Sequence, residues 1–150
     1  MTRFDALLIN VGDQTYALSL LQIQEIRGWT AVSGLPNTDA ACLGVLNLRG
    51  SVLPVFDARR ILGQPSPEPR PQDVIVVAVM NDKPLGLLVD GVSDIVEIDE
   101  DEVTPSSAEA WSSDLVDGIA RVNENLVPLL ALQRFASVGA PALPALSAAA

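Results

Sequence analysis

Val74-Ile75-Val76-Val77-Ala78-Val79-Met80, then Asn81-Asp82-Lys83-Pro84, then Leu85-Gly86-Leu87-Leu88-Val89: two apolar runs about a polar turn decide how this chain folds. The first run is too short and too rich in β-branched residues for a helix, and it reads as a strand buried on both faces. The turn sends the chain back as a second strand, so the whole stretch is a β-hairpin. The same figure opens the sequence, where Phe4 to Val11 and Thr15 to Ser19 flank Gly12-Asp13-Gln14. Slid forward by 69 positions, Val11-Gly12-Asp13-Gln14-Thr15 falls on Met80-Asn81-Asp82-Lys83-Pro84, and Ile23, Glu25 and Ile26 fall on Val92, Asp94 and Ile95. Further along the offset is 74, where Gly44 meets Gly118, Pro54 meets Pro128, Arg60 meets Arg134 and Ile61 meets Phe135. Residues Phe4 to Leu62 are therefore echoed by Asp73 to Phe135, and the chain reads as a duplicated unit.

Working outward, period two dominates. A further strand follows each hairpin, Ile23 to Arg27 and Val92 to Ile98, and a second hairpin follows that. These are Val45 to Leu48 with Val52 to Phe56, and Ile119 to Asn123 with Leu126 to Leu130. Pro54 and Pro128 belong where no ladder hydrogen bond is needed, at an edge or a strand's exit. Short helices fit Asp57 to Leu62, with Asp57 as N-cap and Gly63 as stop, and Leu130 to Ala136. Many short strands, five in each half, predict an all-β (mainly β) chain of two small barrels, whose closure removes exposed edges. Alternate prolines in Gln64 to Gln72 favour an extended path, making this stretch a linker or exposed loop. It is also compatible with a PxxP-type ligand, although composition alone supports that. The Ala/Pro-rich tail, 138–150, has no pattern to organise it and is expected to be disordered.

Composition removes several functions. A net charge of −10 opposes binding to nucleic acid and to anionic membrane surfaces. The longest fully apolar run, Val74 to Met80, is far short of the ~20 residues of a membrane helix, and Met-Thr-Arg-Phe-Asp lacks the apolar core of a signal peptide. One cysteine, Cys42, allows no intramolecular disulfide. A soluble, intracellular protein is expected. The absence of histidine excludes Ser-His-Asp and Cys-His catalysis, histidine metal ligation and histidine phosphorylation. No phosphate-cradling GxGxxG or GxxxxGK[ST] loop occurs. Lys83 reads as an exposed turn residue and Cys42 as a small core residue. The acidic run Asp94, Glu97, Asp99, Glu100, Asp101, Glu102 lacks the spacing of a calcium loop and reads as a solvated face. With 4% aromatic residues a sugar cleft between paired carboxylates is improbable.

Three places carry information about binding. Period two from Ile23 to Arg27 puts Ile23, Glu25 and Arg27 on one side and Gln24 and Ile26 on the other, so neither side is cleanly a core side. An apolar residue flanked by opposite charges suits a rimmed contact patch. A half-buried strand with a weak Glu25–Arg27 surface pair fits the same pattern equally well. Val92, Asp94 and Val96 repeat the arrangement. At a hairpin tip, Asn47-Leu48-Arg49-Gly50 holds out a planar five-donor group suited to a partner's carboxylate or carbonyl. In Leu87-Leu88-Val89-Asp90-Gly91-Val92, Asp90-Gly91 marks a turn whose apolar flanks suit packing between the barrels.

Tyr16-Ala17-Leu18, Gln24-Glu25-Ile26-Arg27-Gly28, the run Gly44 to Asp57 around Asn47-Leu48-Arg49-Gly50, and Gly86 to Ile95 with Val89-Asp90-Gly91-Val92-Ser93-Asp94 together resemble the CheW family of chemotaxis coupling proteins. The resemblance runs from about Phe4 to Phe135. It implies a domain over 1–137 made of two SH3-like five-stranded β-barrel subdomains packed on a shared apolar interface, with the proline-rich 64–72 as linker or loop. It further implies a non-enzymatic adaptor without cofactor, lying in the cytoplasm and recruited to membrane-associated receptor arrays without inserting into the membrane. Its implied partners are the cytoplasmic tip of a methyl-accepting chemotaxis receptor and the regulatory domain of a CheA-type histidine kinase. Carried over by motif, Ile23, Glu25, Arg49, Val92 and Ile95 belong to the receptor-facing side, and Gly44 and Val45 to the kinase-facing side. Ala110-Trp111-Ser112-Ser113, the proline-rich stretch and the tail depart from the family pattern. The length leaves no room for a receiver domain or for the kinase's own catalytic domain. A related scaffold controlling pilus motility or second-messenger synthesis carries the same motifs, and an enzyme using carboxylates alone requires a deep cleft of converging acids.

Overall fold

The computed structural model describes residues 2–34, 42–65, 68–80, 82–105 and 115–132. The strands are β1 (Arg3–Val11), β2 (Gln14–Ser19), β3 (Ile23–Gly28), β4 (Cys42–Leu48), β5 (Ser51–Asp57), β6 (Val74–Met80), β7 (Lys83–Val89), β8 (Gly91–Asp99), β9 (Val103–Pro105), β10 (Val116–Val122) and β11 (Asn125–Leu130). A short helix, α1 (Ala58–Ile61), follows β5, and 3-10 turns occupy Leu20–Gln22 and Glu100–Glu102. Every strand read from the sequence is present; β9 is an addition. Asp57 caps α1, accepting the N–H of Arg59 at 3.0 Å.

Neither sheet is one half of the sequence. The first runs β8-β1-β2-β11-β10-β9 and the second β3-β6-β7-β5-β4. Each half thus gives its opening hairpin to the other half's sheet: β1–β2 joins the strands after residue 90, and β6–β7 joins β3, β4 and β5. Each donated hairpin pairs antiparallel on one side, β1 with β8 and β6 with β3. On the other side it pairs parallel, β2 with β11 and β7 with β5. Five strands of each sheet correspond one to one under the sequence repeat.

The exchange explains why the hairpin strands are apolar on both faces. Along β6, Val76 and Ala78 face a core between the sheets that also contains Leu7, Ile9, Leu18, Leu87 and Val89. Ile75 and Val77 point the other way, into the second sheet's own interior with Leu46, Leu53 and Leu88. A smaller interior, with Ala6, Ala17, Ile98 and Val127, fills the first sheet. Full burial of each such aliphatic side chain is worth about 1.5–3 kcal/mol, which leaves no tolerance for a polar residue on either face.

Each sheet curls until its ends meet. Trp29, following β3, packs on the same interior as Leu46 and Leu48 of β4, although β3 and β4 lie at opposite ends of the second sheet. In the first sheet β8 and β9 lie at opposite ends, yet only the 3-10 turn Glu100–Glu102 separates them in the chain.

Two local readings change. Pro54 and Pro128 lie within strands that have neighbours on both sides, not at an edge or exit. Each immediately precedes the residue where the parallel ladder begins, Val55 against Gly86 and Leu129 against Ala17, so the missing N–H interrupts no parallel rung. Leu130, read as the start of a helix, is instead the last residue of β11, paired with Val116, and helical backbone begins at Leu132. The rest of that predicted helix from residue 133, the 138–150 tail and Ala110-Trp111-Ser112-Ser113 lie outside the described residues. The proline-rich stretch connects β5 and α1 to β6, so it joins two parts of one sheet.

Candidate partner-binding surfaces

Two bulges decide which side chains the strands β3 and β8 present. In β3, Ile23 stands opposite Ala78 but Glu25 opposite Val77, leaving Gln24 as the extra residue. In β8, Val92 stands opposite Ile9 but Asp94 opposite Leu8, leaving Ser93 as the extra residue. Gln24 and Ser93 are equivalent under the 69-residue repeat. An extra residue reverses the alternation of faces. Ile23 therefore shares a side with Ile26, whose partner Val76 belongs to the core between the sheets, while Glu25 and Arg27 face the other way. Val92 likewise shares a side with Ile95, and Asp94 and Val96 turn away. Strict period two had grouped Ile23 with Glu25 and Arg27, and Val92 with Asp94 and Val96; the bulges overturn both groupings.

The receptor-side residues read from the sequence consequently fall into two groups. Ile23 and Val92 are half-buried and pack against the core between the sheets. Ile95, on the same face, is 55% exposed, and its equivalent Ile26 is 43% exposed. Ile26 was absent from the sequence-derived set, although the repeat that pairs it with Ile95 was the available signal. Glu25 and Arg49 form the second group: Arg49 Nη1 lies 2.8 Å from Glu25 Oε1, with Arg27 Nη1 3.7 Å from Oε2. Arg49 sits at the β4–β5 turn with φ of 52°, followed by Gly50 at 87°, and the Asn47 side chain accepts the Gly50 N–H at 3.0 Å. The left-handed backbone aims the Arg49 side chain back over the mouth of the sheet, where Gln24, Leu48, Leu53, Val79, Asp82 and Pro84 line a depression. Its side chain remains 72% exposed, so the guanidinium keeps donors for a partner.

Gly44 and Val45 are elsewhere, on the outer strand of the second sheet. Val45 exchanges both backbone hydrogen bonds with Ser33, at 2.8 and 2.9 Å. A Cβ on Gly44, whose φ is 148°, would stand 2.2 Å from the Ser33 carbonyl oxygen, so only glycine admits this close crossing. Gly118 repeats the device: a Cβ there would lie 2.8 Å from the Thr104 carbonyl of β9. Two more aliphatic side chains at equivalent places, Val52 and Leu126, are exposed beside the hairpin tips, and Leu21 is 92% exposed on the first 3-10 turn. Sequence reasoning assigned none of these three. Cys42 is buried and Lys83 exposed, as their neighbours in the sequence predict. Among the described residues no group of three or more Cys, Asp and Glu stands where it could hold a metal ion.

Comparison with known proteins agrees with this architecture. Residues 5–139 match the model of the CheW-like domain. A probable chemotaxis protein CheW of Rhizobium etli is 36% identical over 133 residues, spanning 86% of this chain and 84% of that protein. The chemotaxis protein CheW of Rhizobium meliloti is 35% identical over 130 residues, spanning 85% and 84%. The crystal structure of the scaffolding protein TtCheW from Thermoanaerobacter tengcongensis superimposes with a TM-score of 0.80 at 21% identity, covering 87% of this chain and 90% of that one. Its likeness is one of fold. The repeat, the exchanged hairpins, the domain match and the level of identity lead to one conclusion: this chain belongs to the CheW-like family.

Proposed function

We propose that this chain is a non-enzymatic adaptor of a chemosensory array, joining the cytoplasmic tip of a methyl-accepting receptor to the regulatory domain of a CheA-type kinase. One observation carries the reading: Ile23, Ile26, Val92 and Ile95 share the side of β3 and β8 that looks toward the seam between the sheets, and Ile26 and Ile95 are left exposed. Exposed aliphatic residues at the margin of a packed seam suit the apolar stripe of a partner helix. The Glu25–Arg49 pair, on the opposite side of β3, supplies a charged rim that fixes register more than affinity. The surface around Gly44 and Val45, on the outer strand of the same sheet, is assigned to the kinase. Two faces on one rigid body are what an adaptor needs, and a catalytic centre is not among its requirements. The domain is taken as 1–137, working in the cytoplasm beside the membrane; no helix among the described residues is long and apolar enough to cross a membrane.

Calorimetric titration of this protein with the kinase regulatory domain and, separately, with the receptor's cytoplasmic hairpin tests the reading. Saturable binding to both, competed by neither partner against the other, is expected. Absence of binding to either at high micromolar concentration sinks it.

A further inference from the structure

The chain crosses between the sheets twice at equivalent places, and the two crossings are built differently. From β2 to β3 it passes through Leu20-Leu21-Gln22, an uncharged 3-10 turn. From β7 to β8 it passes through Asp90, which sits at the centre of an ion cluster. Arg59 Nη1 donates to Asp90 Oδ1 at 3.0 Å, and Arg70 Nη2 donates to the same oxygen at 3.2 Å. The other oxygen of Asp90 accepts the N–H of Gly12 at the β1–β2 turn, and the Asp90 N–H donates to the Asn10 carbonyl at 2.9 Å. Arg59, fully buried on α1, also donates its Nε to Asp57 at 3.1 Å and lies 3.7 Å from the buried Asp73. Arg70 clasps Asp73 through its N–H, Nε and Nη2, and the Asp73 carbonyl accepts the N–H of Trp29 at the exit of β3.

Five segments meet here. α1, the entry to β6 and the exit of β3 belong with the second sheet; the β1–β2 turn and the start of β8 belong with the first. Burial alone lowers the pKa of Arg59, but the hydrogen bond and charge of Asp57, with the charges of Asp90 and Asp73, more than reverse this. Such a cluster adds little net stability over apolar packing.

We propose that Asp90 is a positioning residue: gripped by Arg59, Arg70 and the Gly12 amide, it fixes where β8, with Val92 and Ile95, stands relative to β3. The cluster therefore sets the shape of the seam-side face to which the receptor docks. The effect on receptor affinity rests on the function proposed above; the effect on geometry does not.

The test uses the full-length protein with Asp90→Asn, which keeps shape and removes the charge, and Arg70→Gln, which alters a partly exposed member of the cluster. Spin labels on Ile26→Cys and Ile95→Cys in a Cys42→Ala background report the distance distribution between β3 and β8. In both variants the distribution is expected to broaden or shift while circular dichroism stays native. In unlabelled variants the affinity for the receptor hairpin is expected to fall about ten- to hundredfold, the scale of one lost charged hydrogen bond, with kinase affinity within about twofold. An unchanged distribution in both folded variants overturns the proposal, as does an equal fall in both affinities. A changed distribution in a protein that never binds the receptor hairpin upholds the positioning role and overturns the receptor assignment instead.

Discussion

Glu25, on β3 at one end of the second sheet, and Arg49, at the β4–β5 turn at its other end, are joined at 2.8 Å, so their ion pair bridges the gap across which the sheet closes. Arg49 comes from the β4–β5 turn and Glu25 from β3, and Leu48 and Leu53, beside Arg49, belong to the interior of the same sheet. The pair is partly solvated and is worth no more than about 1 kcal/mol to stability.

Arg49→Glu sets two carboxylates against each other at this closure. The protein is expected to stay folded, losing about 1 kcal/mol or less in urea denaturation, because both groups can turn toward water. Its affinity for one of the two partners is expected to drop at least severalfold by calorimetry. Unchanged constants for both partners in the folded variant mean that Arg49 touches neither.

Ile26→Asp and Ile95→Asp separate docking from folding. Both side chains are exposed at the margin of the seam, so thermal melting should change by an amount within about 0.5 kcal/mol. Receptor-hairpin binding should weaken in both, and the double variant should lose more than either alone. If only Ile95→Asp has an effect, the partner uses β8 without β3.

Gly44→Ala is expected to be strongly destabilising, by about 1–3 kcal/mol from the left-handed backbone alone, with the overlap on the Ser33 carbonyl in addition. Gly118→Ala, where the overlap with Thr104 is milder and φ is ordinary, should cost less. Equal losses in urea denaturation would show that the crowding is relieved by a shift of the Ser33 segment.

Arg59→Met removes the one buried guanidinium that Asp57, Asp73 and Asp90 share, although Arg70 still reaches Asp73 and Asp90. A loss of about 3–5 kcal/mol is expected from breaking a buried pair on one side, enough to lower the melting temperature markedly. The pH dependence has a definite sign. The pKa of Arg59 is raised on folding, so its contribution is fully present below the unfolded guanidinium's ordinary value and is lost only as pH climbs through the higher folded value. Stability attributable to Arg59 should therefore be flat from about pH 6 to 9 in wild-type protein, and a slope there that Arg59→Met abolishes would contradict this account.

Much of the architecture was determined by the sequence itself, because hairpins are local objects. The apolar run Val74 to Met80, the short polar turns at Gly12 and Asp82, and the repeat that aligns them need only residues within reach of one another. The same holds for the Asp57 cap on α1; the repeat aligns Gly44 with Gly118, but that no Cβ fits at either place follows only from the approach of Ser33 and Thr104. Tertiary structure alone decided which hairpin joined which sheet: β6 is equally apolar on both faces, and its sequence cannot say whose strands cover them. It also decided the facing of the candidate binding residues. A bulge at Gln24 or Ser93 leaves no mark in an alternating pattern, because it is stabilised by the ladder of the partner strand. One extra residue in each strand moved Ile23 and Val92 onto the seam side beside Ile26 and Ile95, and turned Glu25 away toward Arg49. The meeting of Arg59, Arg70, Asp73 and Asp90 was likewise beyond local reading, since residues 20 and 31 positions apart come together only when both sheets have formed.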